Sequence, residues 1–203
     1  MYQGCSLIAI LDYGSGNLRS AQRAFATTGH DVEITSDLDV ALKAEGLVVP
    51  GVGAFAACMN GINEISAAEV ILDRKSAGKP TLGICIGMQI LFSDGLEHGN
   101  HKGIGIWQGE VSQLDAPILP HMGWNTVEIT GSSKLFKGIE KESFYFVHSY
   151  AAKKSVGTSQ AWTTHGEKFL SAVEDGALCA TQFHPEKSGR AGLALIANWS
   201  AGL

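Results

Sequence analysis

The sequence predicts an α/β fold: a mostly parallel central sheet flanked by helices, with an added antiparallel section. Short apolar runs alternate with helical patterns over the N-terminal half, which is typical of parallel strands connected by helices. From about residue 103 to residue 180, strand-like pieces are separated by glycine, proline and polar turns, which indicates antiparallel strands. Apolar residues make up 45% of the 203 residues and charged residues 17%, a composition that excludes a disordered chain.

The N-terminal half supplies the predicted parallel strands and their helices. Leu7–Leu11 is an apolar run, and a glycine turn at residues 14–17 separates it from a helical pattern over residues 18–27. We expect the helices of this half to cover both faces of the sheet. The other elements predicted here are a strand at Asp31–Thr35, a helix at 36–44 capped by Ser36 or Asp37, a strand at 47–49, a helix at 66–77, a strand at 81–84 and a helix opening at 88–92.

The C-terminal half supplies the predicted antiparallel section and one closing helix. Strands are predicted at residues 104–111, 124–129, 143–150, 160–164, 169–173 and 177–183. Ser188 is predicted to cap a last helix over residues 189–198. Because no repeat, low-complexity tract or linker interrupts the chain, we expect a single domain over residues 1–203.

Charge and cysteine usage exclude several classes of protein. The net charge is −5 and there is no run of Lys or Arg, which argues against nucleic-acid and acidic-membrane partners. No apolar stretch approaches the roughly 20 residues of a membrane span, and the N-terminus lacks a basic signal region, so we expect a cytoplasmic protein. The four cysteines, Cys5, Cys58, Cys85 and Cys179, form no C-x-x-C pair; we therefore expect free thiols and no metal site.

Cys85 has the setting of a catalytic nucleophile. It is the centre of a Gly-Ile-Cys-Ile-Gly motif at residues 83–87, between a predicted strand and a predicted helix. This is the pattern of the serine hydrolase elbow, in which flanking glycines make room for a sharp turn. A helix that begins after the turn directs its N–H groups toward the sulfur and favours the thiolate. The alternative, a small buried structural cysteine, is the interpretation we give to the other three.

His184 and Glu186 are the predicted base and its orienting carboxylate. The following Pro185 confines His184 to extended geometry, and in an extended segment residues two apart face the same side. Glu186 can then hold one ring nitrogen while the other accepts the thiol proton, giving a Cys–His–Glu arrangement. Strand ends that converge at one edge of a parallel sheet would bring His184 to Cys85. A structural histidine beside a proline is the alternative.

Acyl transfer also needs hydrogen-bond donors for the oxyanion. The N–H of Ile86, directly after the nucleophile, is one candidate. The second is the N–H of Val52 in the Pro-Gly-Val-Gly segment at residues 50–53, where glycines on both sides permit a peptide flip. From the residues alone, an ordinary loop at this segment is equally compatible with the sequence.

Taken together, these motifs resemble class I glutamine amidotransferases of the triad type, whose fold is flavodoxin-like. The matching segments are residues 50–53, the GICIGMQ run at 83–89 and the His-Pro-Glu run at 184–186. Residues 12–18, PHMGWN at 120–125 and YFVHSY at 145–150 are further similar to the glutaminase subunits of imidazole glycerol phosphate synthases of histidine biosynthesis. The resemblance extends from about residue 7 to residue 199. Ile86 departs from it, since the family more often has Leu there, but the oxyanion role uses the backbone.

The resemblance implies roles for residues around the elbow. Gln89 and Glu97 would bind the amide and amino ends of glutamine, and the backbone around Ser149 and Tyr150 would hold its carboxylate. Without the resemblance, Gln89 would be interpreted as a cap or a solvent-facing residue and Glu97 as a surface acid.

The resemblance also implies a partner. This would be a cyclase subunit with a (β/α)₈ barrel, forming a heterodimer and receiving ammonia from the thiol site. Asn17, Trp124, Tyr145 and Lys187 would lie at the interface, and aromatic residues with a lysine suit such a role. From the residues alone, Trp124 and Tyr145 would more often be core. No metal or organic cofactor is expected on this chain.

Three other functions are compatible with parts of this pattern. The nearest is a glutaminase subunit of another biosynthetic amidotransferase, serving anthranilate, pyridoxal phosphate or a nucleotide. A free-standing γ-glutamyl hydrolase or cysteine peptidase would act without a partner. A catalytically silent binding module would not need the triad. The PHMGWN segment argues against the first, and the intact Cys85, His184 and Glu186 argue against the last.

Overall fold

A computed structural model describes residues 6–203 and contains a large mixed sheet with helices on its faces. Over this range the strands are β1 (Leu7–Leu11), β2 (Asp31–Thr35), β3 (Gly46–Gly51), β4 (Thr81–Cys85), β5 (Phe92–Gly95), β6 (His101–Lys102), β7 (Trp107–Gln113), β8 (His121–Thr126), β9 (Glu128–Thr130), β10 (Ser143–His148), β11 (Tyr150–Ala152), β12 (Ser159–His165), β13 (Glu167–Asp175) and β14 (Leu178–Thr181). The helices are α1 (Leu18–Ala26), α2 (Leu38–Lys43), α3 (Phe55–Glu64), α4 (Ala67–Ser76), α5 (Ile86–Gln89) and α6 (Gly189–Ser200), with a 3-10 turn at Pro185–Lys187.

The main sheet confirms the predicted combination of parallel and antiparallel pairing. Over residues 6–203 it has eight strands in the order β2-β1-β3-β4-β14-β13-β12-β9. The first five are joined by parallel pairs, and β14, β13, β12 and β9 are joined by antiparallel pairs. The strands β3, β4 and β14 are buried throughout, which explains their continuous apolar sequences.

Two smaller sheets complete the antiparallel section. One has the order β11-β7-β5-β6, and the other is a ribbon of β8 and β10. In this ribbon Trp124 pairs with Tyr145, and His121 pairs with His148. Because side chains alternate along a strand, one ribbon face carries Trp124 toward solvent while the other buries both histidines against the main sheet.

Most predicted elements are present, and β1 and β2 have the predicted bounds. Asp37, and not Ser36, caps α2, since its carboxylate accepts hydrogen bonds from the Asp39 and Val40 N–H groups. Ser188 occupies the cap position of α6, but its hydroxyl donates to the His184 carbonyl and makes no cap bond. The predicted strand at 124–129 is two strands, β8 and β9, and the one at 143–150 divides into β10 and β11.

Near the elbow, one helix was not predicted and one prediction is wrong. The helix α3 was not predicted, because its N-cap Ala54 supplies no side-chain cap; instead Glu97 accepts from the Phe55 N–H at 2.8 Å. The helix expected to open at residues 88–92 ends at Gln89, and β5 begins at Phe92. The carbonyl of Ile90 accepts from the Ile104 N–H at 2.7 Å, so this distant segment takes an acceptor that a longer helix would use.

The three cysteines within the described range, Cys58, Cys85 and Cys179, are free and buried. Cys5 lies outside the described residues. Among residues 6–203, no helix has the length and apolar character needed to cross a membrane.

Arg74 on α4 binds the chain just before β3 and β4 begin, at the end of these strands opposite the elbow. Its side chain is fully buried, and its guanidinium donates to the backbone carbonyls of Ala44 at 2.7 Å and Pro80 at 2.7 Å, among others in the segment before β3. Burial lowers the pKa of Arg74 to about 10, although the charge of Glu45 acts in the opposite direction. The Pro80 carbonyl also accepts from the Leu47 N–H at 3.0 Å, whereas Arg74 is the only donor to the Ala44 carbonyl among residues 6–203. The arginine therefore satisfies buried backbone acceptors before β3 and adds a donor before β4.

We expect Arg74→Met to lower the free energy of unfolding by about 3 kcal/mol or more, because several buried carbonyls each lose a donor and some of them keep no other. Lys75→Met is the matched control on the same helix. Its partly exposed pair with Asp175 at 2.7 Å should be worth less than about 1 kcal/mol. Urea unfolding of the three proteins measures both values, and equal losses for the two variants would contradict the role given to Arg74.

Candidate active site

A cleft of about 600 Å³ lies where β3, β4 and β14 end. It brings together nine of the thirteen predicted site residues, namely Val52, Cys85, Ile86, Gln89, Glu97, Ser149, Tyr150, His184 and Lys187. Glu186 does not line the cleft but contacts the His184 ring. Asn17 lines a separate small cavity of about 10 Å³, which His184 and Glu186 also line. Tyr145 and Trp124 do not line the cleft.

Cys85 sits at a strained turn, as the elbow motif predicts. It ends β4 with φ 56° and ψ −110°, a conformation that costs a non-glycine residue about 1–3 kcal/mol. A Cβ at Gly83 would lie 2.6 Å from the Gly87 carbonyl oxygen, and one at Gly87 would lie 1.9 Å from the carbonyl oxygen of Val49. Only glycine fits at either position, so the two flanking glycines of the motif allow the backbone to close around the nucleophile.

His184 is positioned next to Cys85 by the parallel pairing of β4 with β14, in which Ile84 is level with Thr181. Its backbone is extended, with φ −100° and ψ 97°, and its N–H donates to the Tyr145 carbonyl at 3.0 Å. Its ring Nδ1 is 2.8 Å from Glu186 Oε1, so Nε2 is the nitrogen left for Cys85.

The predicted contact of Glu186 with His184 is present, but the geometry given for it was wrong. Residues Pro185–Lys187 form a 3-10 turn and not an extended segment. The turn folds Glu186 back onto the ring two residues earlier, and the Lys187 N–H closes it by donating to the His184 carbonyl at 3.0 Å. Both side chains are buried, with 2% and 4% exposure.

Burial lowers the pKa of His184, but its neighbours have the larger combined effect. The neighbouring Cys85 sulfur and the hydrogen bond from Nδ1 to the Glu186 carboxylate raise the pKa of His184 to about 10. The ring therefore carries a proton at neutral pH. This places a charged general acid directly against the candidate nucleophile.

The Val52 backbone is engaged by Ser15, a residue that lies outside the cleft lining. The Val52 N–H donates to the Ser15 hydroxyl at 3.2 Å, and that hydroxyl donates to the Val52 carbonyl at 2.8 Å. Ser15 does not line the cleft, so the predicted second oxyanion donor is engaged elsewhere in this conformation. Ile86 is the first residue of α5, so no preceding helical turn provides a carbonyl to accept its N–H. Gly53 has φ +92°, which only glycine adopts without strain.

The residues proposed for substrate contact are also hydrogen-bonded to other parts of the protein. Gln89 is 2% exposed, and its amide nitrogen donates to the Tyr150 carbonyl at 2.9 Å. One oxygen of Glu97 accepts from the Phe55 N–H, and the other makes no hydrogen bond among residues 6–203. The Ser149 carbonyl accepts from the Leu114 N–H at 2.9 Å. The cleft therefore combines an amide, a carboxylate and backbone groups around Cys85.

The four predicted interface residues lie around the mouth of the cleft or behind it. Trp124 is 59% exposed and packs edge-on against Tyr145, with ring centroids 6.1 Å apart, so the core alternative is wrong for Trp124. Lys187 is exposed at the cleft rim. Asn17 caps α1 by accepting from the Ser20 N–H at 3.4 Å. Their role at an interface stays a prediction.

Three residues of the site were not predicted from the sequence. Ser15 holds Val52, Gln182 contacts Cys85, and His148 lines the cleft. Gln182 could have been found, because it is two residues before His184 and enters the same edge of the sheet. Ser15 could not, since only the fold brings the glycine turn after β1 to the end of β3.

Three further histidines cluster beside the cleft without forming a metal site. His121 stacks on His165 at 4.3 Å between ring centroids and lies 3.1 Å from His148, Nδ1 to Nε2. Burial lowers the pKa of His121 to about 4 and that of His148 to about 3, so both rings are neutral at pH 7. Within residues 6–203 no group of three or more His, Cys, Asp or Glu side chains could hold a metal ion.

The chain is similar to known proteins along nearly its whole length. Residues 9–201 match the family model described as glutamine amidotransferase class-I. The subunit HisH of imidazole glycerol phosphate synthase from Mycobacterium bovis is 57% identical over 201 residues, covering 97% of this chain and 98% of that protein. The HisH subunit from Thermobifida fusca is 55% identical over 207 residues, covering 97% and 98%.

Solved structures agree in fold. PurLQS from Thermotoga maritima superposes with a TM-score of 0.70 at 19% identity, covering 97% of this chain and 98% of that chain. The glutaminase domain of Trypanosoma brucei CTPS with bound acivicin superposes with a TM-score of 0.66 at 19% identity, covering 97% and 93%. With a family model matched over nearly its full length and relatives above 50% identity, the chain belongs to the class I glutamine amidotransferases.

Proposed function

We propose that this chain is the glutaminase subunit of an imidazole glycerol phosphate synthase and supplies ammonia for histidine biosynthesis. The observation that carries the proposal is Cys85 at a strained elbow beside a buried, protonated His184 held by Glu186. The relatives named HisH support the choice of synthase among the amidotransferases. We treat residues 1–203 as a single domain in the cytoplasm that needs no metal or organic cofactor.

The proposed reaction converts glutamine and water to glutamate and ammonia in two steps. The Cys85 sulfur attacks the side-chain carbonyl carbon, and the C–N bond breaks as His184 Nε2 gives its proton to the leaving nitrogen. A glutamyl thioester and ammonia result. His184, now neutral, takes a proton from water, whose oxygen attacks the thioester; glutamate leaves and the thiolate returns. Glu186 holds Nδ1 throughout and stabilises the charged ring.

Glutamine is proposed to lie along the cleft with its amide at Cys85. Gln89 would contact the amide, Glu97 the α-ammonium group and the backbone at Ser149 and Tyr150 the α-carboxylate. The Glu97 carboxylate, one oxygen of which makes no hydrogen bond within the described part of the chain, would supply the negative charge that an ammonium group requires.

We further propose a heterodimer with a (β/α)₈-barrel cyclase, to which the ammonia passes without entering solvent. Support comes from the exposed apolar side chains next to the cleft, since Trp124 is 59% exposed and Met122 62% exposed on the same ribbon face. Large exposed apolar side chains are characteristic of interface anchors. Lys187, at the rim of the cleft, and Asn17 are assigned to the same surface.

Cys85→Ala is expected to abolish glutamine-dependent synthesis by the complex while leaving ammonia-dependent synthesis unchanged, because only the nitrogen source needs the thiol. Product formation with glutamine and with ammonium salt as nitrogen donors measures the two activities. Cys179→Ala is the control, since that buried thiol is near the start of β14, away from the end of the strand that meets the cleft, and it does not line the cleft. Wild-type use of glutamine by Cys85→Ala would refute the nucleophile assignment.

His184→Ala is expected to reduce single-turnover glutamine hydrolysis about 10- to 100-fold more than Glu186→Ala, because the carboxylate orients the ring but transfers no proton. Both variants should be matched by circular dichroism before rates are compared. Equal losses, or a larger loss for Glu186→Ala with folding intact, would contradict the assigned roles.

The isolated chain is expected to be a poor glutaminase, because the Val52 N–H is engaged by Ser15. A missing oxyanion donor lowers the rate about 10²–10³-fold, so liganded cyclase should stimulate glutamate release by about that factor. Ser15→Ala removes the hydrogen bonds of Ser15 to the Val52 N–H and to the Val52 carbonyl, and it should raise the basal rate of the isolated chain about 5- to 30-fold.

Initial rates of glutamate production with and without the cyclase measure both effects. Ser36→Ala, at an exposed serine outside the cleft, is the control and should leave the rates unchanged. Wild-type rates that agree within about twofold with and without partner would rule out the flip of Val52, since that difference is well under 1.4 kcal/mol.

A further inference from the structure

Gln182 is a fully buried amide at the nucleophile to which the reaction above assigns no role. Its Nε2 donates to the Cys85 sulfur at 3.7 Å, and its Oε1 accepts from Gln89 Nε2 at 3.0 Å. A buried amide in this position links the nucleophile directly to a residue of the substrate site. It therefore constrains which end of the Gln89 amide can face the cleft.

Both hydrogens of the Gln89 amide are used inside the protein. One is donated to the Tyr150 carbonyl at 2.9 Å and the other to Gln182 Oε1 at 3.0 Å. The Gln89 oxygen makes no hydrogen bond among residues 6–203, while Gln89 itself lines the cleft. The amide thus presents an acceptor, and no donor, to whatever occupies the site.

Two neutral histidines, His121 and His148, belong to a series of hydrogen bonds that ends on the same Tyr150 carbonyl. A carbonyl can only accept, so the contact of His148 Nδ1 with the Tyr150 carbonyl at 2.9 Å places the ring proton on Nδ1. His148 Nε2 is then an acceptor, and it receives His121 Nδ1–H at 3.1 Å. Asn125 Nδ2 in turn donates to His121 Nε2 at 3.3 Å. The two rings therefore hold the Tyr150 carbonyl in place, and this carbonyl is also the acceptor of Gln89 Nε2.

We propose that Gln182 and His148 are positioning residues that hold the Gln89 oxygen toward the substrate and thereby make the site select a γ-carboxamide over a γ-ester or γ-carboxylate. The inference rests on the proposed function and deepens it. The amide nitrogen of glutamine carries hydrogens that the Gln89 oxygen can accept. An ester or carboxylate places only oxygen lone pairs there, and the two acceptors repel each other.

Gln182→Met tests the proposal, because methionine keeps the length and bulk of the side chain but removes its acceptor. The Gln89 amide is then free to rotate and turn its NH₂ toward the cleft. Values of kcat/KM for L-glutamine and for L-glutamate γ-methyl ester are measured with the full chain bound to its cyclase. The ratio of the two values is the readout, since general damage to the site lowers both substrates alike.

We expect Gln182→Met to lower the preference for glutamine over the ester by about 10- to 100-fold, the effect of a lost or reversed hydrogen bond in a buried site. Ser171→Ala is the matched control. Ser171 is buried in β13 opposite Gln182, and its hydroxyl makes no hydrogen bond among the described residues. It should leave the ratio at the wild-type value.

The double variant His121→Phe, His148→Phe removes the donor that holds the Tyr150 carbonyl, so the carbonyl can move away from Gln89 Nε2 and the amide is free to rotate. This variant keeps the proposal testable if Gln182→Met does not fold. Both rings pack against Phe146 and Phe169, so phenylalanine suits the site, and removing both partners leaves no unpaired ring nitrogen. Its preference for glutamine should also fall. Thermal unfolding checks that each variant is folded.

The possible results distinguish failure of the positioning role from failure of the proposed function. A folded variant whose ratio equals that of the wild type, or whose two kcat/KM values fall by the same factor, overturns the positioning role alone. A wild-type complex that hydrolyses the ester but not glutamine overturns the proposed function, and the positioning role with it. A ratio that falls in Gln182→Met and not in Ser171→Ala supports the proposal.

Discussion

The parallel pairing of β4 with β14 is the constraint on which the site depends. It places two chain segments that are almost a hundred residues apart side by side, with Ile84 level with Thr181. The next residues of each segment are then Cys85 and Gln182, and His184 follows. Because the carboxyl ends of parallel strands meet at one edge of a sheet, this single register brings the nucleophile, its acid and a buried amide together.

Two buried histidines, His184 and His148, have opposite protonation states because their surroundings differ. His184 is buried next to Cys85 and Glu186, and these partners raise its pKa to about 10. His148 is buried next to a carbonyl and another neutral ring, and desolvation lowers its pKa to about 3. One ring is thus a charged proton donor and the other a neutral link with a fixed donor and a fixed acceptor. The difference lies in the partners, since both rings are buried.

Sequence reasoning found the features that are encoded locally. The apolar runs of β1 and β2 and the Gly-x-Cys-x-Gly elbow each carry their own signal, because sterics near a strained residue leave glycine as the only choice. Elements that depend on distant partners were missed. The start of α3 is held by Glu97, more than forty residues away, and α5 is cut short by hydrogen bonds from the segment before β7.

The same distinction explains the outcome at the site. Cys85, His184 and Glu186 occur in short motifs, whereas Ser15 reaches Val52 only because β1 and β3 are neighbours in the sheet. The contact between His184 and Glu186 was found with an incorrect geometry, since a proline after an extended residue is compatible with both a continuing strand and a 3-10 turn.

The two-faced ribbon of β8 and β10 limits how this part of the chain can change in length. Trp124 and Tyr145 face outward, whereas His121 and His148, in the same two strands, face inward. A single inserted or deleted residue within either strand would exchange the faces, exposing a buried ring and burying an outward one. Changes of length are therefore confined to the segments that connect the strands, and the spacing from His121 to Trp124 is as constrained as the residues themselves.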